Sequence, residues 1–160
     1  MAFSFISHRD AFVATRLVRD WEHTRKASAV LPATTTQNIF TISGGRVLVH
    51  HLIGEFTVVA SGTATNLKVT SVPTTGSAVD VTAVLAIASF EAGALLIVEG
   101  DGTALIGTST GAGFAPALTQ VPWVCPIGTL RIDASATNTG ATKWDIFWEA
   151  LDPGATVVSA

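Results

Sequence analysis

Residues 141–150 read ATKWDIFWEA. Side chains along a strand alternate between its two faces, so Thr142, Trp144, Ile146 and Trp148 share one side, and Lys143, Asp145, Phe147 and Glu149 the other. The Trp-Ile-Trp side predicts core burial and the charged side predicts solvent. One-sided strands of this kind are typical of antiparallel sheets.

The same residue types extend upstream. From Asn38 onward Val, Ile, Thr and Phe recur in short runs divided by Gly, Pro, Ser and Asn, which is strand-and-turn composition. The runs predict strands over Asn38–Ile42, Arg46–Ile53, Glu55–Ala60, Asn66–Val72, Ala78–Ile87, Ala94–Glu99, Thr103–Gly107, Thr119–Cys125, Thr129–Ala134 and Ala141–Ala150, one of these being a loop. Ser43-Gly44-Gly45, Pro73–Gly76 and Gly100-Asp101-Gly102 supply turns, through glycine at positive φ or the fixed φ of proline. Connections this short leave no room for crossover helices. The expected fold is therefore all-β: an antiparallel β-sandwich, jelly roll or barrel. Within it, Ala78–Ile87 becomes apolar on both faces, which predicts a strand covered twice, at the sandwich centre or under a neighbouring subunit.

Ahead of the β body, Ser7 to about Ala27 predicts an amphipathic helix. Ser7-His8-Arg9-Asp10 fits a capping box, and Ala14, Leu17, Val18 and Trp21 follow at helical spacing on one stripe. Ser28 and Pro32 close it, and Leu31–Gln37 reads as an extended linker. The expected division is an arm with its linker over residues 1–37 and a body over 38–160.

Length and composition bound the function classes. The chain has 160 residues and a single Cys, so one domain is expected and no internal disulfide can form. No signal-peptide core opens the sequence, and Asp80, Glu91 and Glu99 interrupt the most hydrophobic stretch, so neither classical secretion nor a membrane span is expected. Charged residues make up 13%, about half the usual quarter. At a surface of roughly 7,500 Å², so few charges predict that part of the exterior is occluded by other chains. Residues 1–26 hold five cations against three acids, and residues 27–160 four against nine, so a basic arm precedes an acidic body. That body is not expected to bind nucleic acid.

Catalytic signatures are weak. Gly107-Thr108-Ser109-Thr110-Gly111 matches the serine-hydrolase elbow, but Gly113 and Pro116 follow where a helix is needed, and the last His is His51, upstream. His50 and His51 are adjacent in a strand and so expected on opposite faces, while His8 and His23 lie in the arm; no metal site is expected. Glu99-Gly100-Asp101-Gly102 lacks the ligand count of a calcium loop and reads as a turn. Glu55, Glu91 and Glu149 could pair for glycoside hydrolysis only if the fold brought them together. Gly111-Ala112-Gly113 has no P-loop lysine, and Cys125 reads as a small buried hydrophobe. Neither an enzyme nor a cofactor is expected.

Several strings in the body form a recognisable set. Leu31-Pro32, Thr34-Thr35-Thr36, Ile39–Val49 (IFTISGGRVLV) and Leu52-Ile53-Gly54-Glu55 open it. Gly128-Thr129-Leu130, Thr139–Trp144 (TGATKW) and Leu151–Ala155 (LDPGA) close it. Together they resemble small structural proteins of tailed bacteriophages over about residues 31–158. The resemblance implies a virion component on the capsid surface: a head decoration or cement protein, trimeric, with the major capsid protein as partner and no membrane contact. In that setting Phe12, Leu17 and Trp21 are the expected apolar anchors of a capsid-contacting arm, with Arg9, Arg16, Arg19 and Arg25 as charged partners. The alternative expectation is a tail-fibre, receptor- or carbohydrate-binding sandwich, with Trp123 or Phe114 stacking on sugar.

Overall fold

The computed structural model describes residues 21–100, 106–107, 109 and 121–160. Numbered in chain order, the strands form two six-stranded sheets with every pairing antiparallel. The first sheet runs β1 (Glu22–Val30), β11 (Ala141–Ala150), β3 (Val47–Val58), β7 (Leu95–Val98) and β8 (Ile106–Gly107), with β9 (Trp123–Cys125) also on β3. The second runs β12 (Thr156–Ser159), β2 (Thr36–Ser43), β10 (Gly128–Ala134), β4 (Asn66–Pro73) and β5 (Val79–Asp80), with β6 (Leu85–Ala86) also on β4. Among the described residues no helix forms.

Each sheet turns one face inward. Val47, Val49, Leu52, Phe56, Leu96, Trp144, Ile146 and Trp148 meet Phe40, Ile42, Leu67, Val69, Leu130 and Ile132 in one core. The alternation expected for β11 holds from Thr142 to Glu149, and its span is as expected. Arg46–Ile53 and Glu55–Ala60, expected as two strands broken at Gly54, are one strand. Gly54 pairs with Trp144, and a Cβ there would come within 2.9 Å of the indole ring. The glycine is thus the slot into which the buried indole lies, not a break.

The turn residues of two distant strings also meet. Gly44 has φ 74°, and a Cβ on it would lie 2.0 Å from the Gly154 carbonyl. Beside this contact Arg46 binds Asp152 twice, Nε to Oδ2 and Nη2 to Oδ1, both at 2.9 Å. The SGGR turn and the LDPGA turn are therefore one structural unit.

Three expectations need correction. Residues 22–27, expected at the end of a helix, belong to β1, which pairs with β11 from Glu22↔Trp148 to Val30↔Ala141. There Thr24 Oγ1 accepts the Trp148 indole N–H at 3.2 Å and donates to the Val157 carbonyl at 3.0 Å. Lys26 Nζ donates to the Ala160 carbonyl, so β1 and β12 close one edge of the sandwich. The helical expectation for residues 7–20 lies outside the described residues. Second, residues 22–37 are in the sandwich, not ahead of it, since Thr36 and Gln37 already begin β2. Third, Ala78–Ile87 is no central strand. It breaks into β5 and β6 on the outer side of β4, with Val79 and Val84 63% and 54% exposed. β12, absent from the expected set, follows the LDPGA turn and pairs with β2.

Candidate functional site

Chemistry-bearing side chains gather on the outer face of the first sheet. In the β3–β11 ladder Phe147 pairs with His51 and Trp148 with Val49, leaving His50 as an extra residue on β3. Such a bulge resets the alternation: Val49 and Leu52 are both buried, with the two histidines between them. Both imidazoles contact the Trp21 ring, His50 stacked at 4.4 Å between centroids and His51 edge-on at 5.3 Å. The expectation that they point to opposite faces is therefore wrong, because the bulge inserts a residue. Phe147 continues the row, 6.2 Å from His51 and stacked at 4.7 Å on His23.

Carboxylates border these rings. Asp145 Oδ1 lies 2.6 Å from His23 Nε2 and 2.7 Å from Arg25 Nε. Partial burial opposes ionisation of Asp145, but the hydrogen bonds from Arg25 and His23 outweigh it and hold the carboxyl below its ordinary range. His50 Nε2 lies 3.4 Å from Glu149 Oε2. Among the described residues no group of three or more His, Cys, Asp or Glu has an arrangement able to hold a metal ion.

The carboxylates singled out in the sequence do not converge. Glu55 sits opposite Lys143 and bonds it at 2.8 Å, whereas Glu149 lies opposite Leu48, six residues and about 20 Å further along β11. Glu91 is exposed in a loop. A closer pair is one the sequence did not reveal: Thr70 Oγ1 sits 3.0 Å from Asp80 Oδ1 and 2.8 Å from Asp133 Oδ2. Each of these carboxylates has its own cation, Lys68 at 2.7 Å from Asp80 and Arg131 at 2.9 Å from Asp133. The Lys68 hydrogen bond holds Asp80 below the ordinary carboxylate range, opposite to what a general acid requires. The cluster is a charge-compensated ladder across β5, β4 and β10. Ser109 is exposed, with its backbone carbonyl accepting from Glu91 N at 3.2 Å; Thr108 and Thr110 lie outside the described residues.

The second feature is the sandwich edge remote from β1 and β12. Between β9 and the β4–β5 pair, an apolar groove of about 340 Å³ opens along Pro73, Val79, Val81, Trp123, Val124 and Pro126, with Ser71, Asp80 and Gly100 completing it. Trp123 turns to the same side as buried Cys125 and packs on the core. A Cβ on Gly100 would lie 2.6 Å from the Trp123 ring. The Trp123 indole Nε1 is buried and has no hydrogen-bond partner among the described residues. Along the neighbouring strands and turns Val79, Val121, Val124 and Ile127 are 63%, 55%, 53% and 39% exposed. Their identity gave no signal in the sequence, where valines in short strands read as core.

Of the expected arm residues, Trp21 and Arg25 are taken up by the chain's own first sheet, on His50, His51 and Asp145. Arg9, Phe12, Arg16, Leu17 and Arg19, and Phe114 of the sugar-stacking alternative, lie outside the described residues. Comparison with protein-family models, with curated proteins and with solved structures finds no match.

Proposed function

We propose that the protein is a non-enzymatic structural component of a tailed-bacteriophage virion, a head decoration protein that buries its surface against capsid subunits and a companion copy. The observation that carries this reading is the asymmetry of the sandwich: one edge is closed by the β1–β12 contacts, while the other presents a groove and four exposed apolar side chains. Exposed apolar patches of this kind mark contact surfaces. The sparse charge of the body and the resemblance of its opening and closing strings to phage structural proteins support the same reading. The carbohydrate-binding alternative has less behind it, because the Trp123 ring lies against Gly100 and is not displayed as a stacking platform.

The test is binding of the purified protein to decoration-free phage heads, measured by co-sedimentation and located by cryo-electron microscopy. Val79→Lys with Val124→Lys, at positions already facing solvent, leaves the fold intact and abolishes binding. Failure of the native protein to bind any head, or undiminished binding by the double variant, overturns the reading.

A further inference from the structure

At the far end of the sandwich from the groove, three connections come together without a charged residue. Residues 27–45, 56–67 and 134–142 contain no Asp, Glu, Lys or Arg, and they include the β1–β2, β3–β4 and β10–β11 connections in full. Asn138, 2% exposed, ties them together. Its Oδ1 accepts Ser61 N at 2.9 Å and Gly140 N at 3.0 Å, and Leu31 N donates to the Gly140 carbonyl at 2.9 Å. Val30, Val58 and Val59 are 62%, 50% and 55% exposed at this pole, and Val30 and Val58 share one row through Ala141. The adjoining residues 87–92 add one charge, Glu91, while Glu55 with Lys143 and Lys68 with Asp80 are paired within the chain. β3 runs from Val47, beside β9, to Val58, roughly 36 Å at 3.3 Å per residue, so the pole and the groove are separate surfaces.

The same pole holds the two non-glycine residues at positive φ among the described residues, Thr34 at 51° and Ser89 at 60°. Each lies in a segment held by the sandwich: the Thr35 carbonyl accepts Ala134 N, and Ser89 N donates to the Ser61 carbonyl. A β-branched residue rarely adopts this region, and backbone strain of this kind concentrates at functional surfaces. Loops fixed in advance also lower the ordering cost of a contact.

The missing charge decides the partner. A two-fold contact sets a patch against its own copy, so charges within it bring like charges together. Two chains of net −3 repel least across a surface that carries none. A standard contact takes about 800 Å² from each partner, under a tenth of the 8626 Å² that the chain exposes, and the three valines give it an apolar centre.

We propose that a second copy of this chain docks here, pole to pole about a two-fold axis, with Val58 and Val59 of each copy at the centre and both grooves left open. The proposal deepens the companion-copy part of the function above and rests on that part alone, and its test needs no phage head. Sedimentation equilibrium of the full chain is expected to give twice the 16.5 kDa of one chain, and Val58→Asp with Val59→Asp to return the mass to one chain with an unchanged circular dichroism spectrum. Val79→Lys with Val124→Lys, in the groove, keeps the doubled mass. A Val59→Cys chain treated with a short bismaleimide links to its own kind, and a Val124→Cys chain does not. A native mass of any other multiple, a mass unmoved by the aspartates, or linking through position 124 in place of 59 overturns the proposal. A dimer that binds no head overturns the capsid part of the reading alone.

Discussion

Trp21 stacks on His50 with ring centroids 4.4 Å apart and planes 14° from parallel, although β11 lies between the strand that Trp21 precedes and the strand that carries His50. The contact exists because the β3 bulge brings His50 to the outer face. It fixes Trp21 on the outer face of the first sheet. A double-mutant cycle over Trp21→Ala and His50→Ala measures it, with an expected coupling of about 0.5–1.5 kcal/mol, the range of stacked aromatic pairs. Additive losses in urea denaturation would mean that the rings merely lie near one another.

Gly54 and Trp144 are a second coupled pair. A methyl at Gly54 has no space beside a ring held fully within the core, so Gly54→Ala is expected to destabilise by about 1–3 kcal/mol, as overpacking does. Trp144→Ala removes the ring and costs about 3–5 kcal/mol. Combining the two relieves the clash, and the double variant is less destabilised than the sum. Thermal midpoints of the four proteins check this; strict additivity would remove the slot from the account of β3.

What the residues disclosed in advance follows from how local each cause is. β10 and most of β11 were legible because inward and outward residues alternate over Gly128–Ala134 and Thr142–Glu149. Gly54 misled because its partner, Trp144, is ninety residues away, and a glycine that accommodates a ring looks in sequence like one that ends a strand. Residues 22–27 read as the end of a helix because Ala14, Leu17, Val18 and Trp21 set a helical rhythm, whereas Glu22–Val30 is held by pairing with β11, a tertiary effect. The His50–His51 bulge has no local signature, since the extra residue is defined only by the register of the opposite strand. The apolar run Ala78–Ile87 did not disclose its place, because exposure at an edge and burial at a centre need the same residue types.

Cys125 is buried beside Ser71, whose hydroxyl lies 3.8 Å from the sulfur. Burial pushes the thiol up to about 11, with the Ser71 contact a smaller opposing influence. Since the thiolate is the reactive form, only about one thiol in a thousand is ionised at pH 8. Native protein is expected to resist a thiol-reactive chromogenic disulfide for hours, while the guanidinium-unfolded chain reacts with one equivalent at once. Rapid stoichiometric labelling of the native state would show that Cys125 is accessible.

Acid sensitivity follows from three carboxyls. Asp152 is held well below its ordinary range by hydrogen bonds from the Arg46 side chain and backbone, and Asp80 by the Lys68 hydrogen bond. Asp145 is lowered by Arg25 and His23 against the opposing effect of burial. Each folded value lies below the unfolded one of about 3.9, so between the two the unfolded chain binds more protons and stability rises with pH. The contribution is complete above about pH 5 and is lost as pH falls through the folded values. Urea midpoints are expected to fall steadily below about pH 4, and Asp152→Asn should flatten that fall by removing one of the three groups. Because the Arg46–Asp152 pair is solvent-accessible, salt at about 1 M should weaken its share. Midpoints that stay constant from pH 5 to 2.5 would mean that these ion pairs contribute nothing to the difference between folded and unfolded chain.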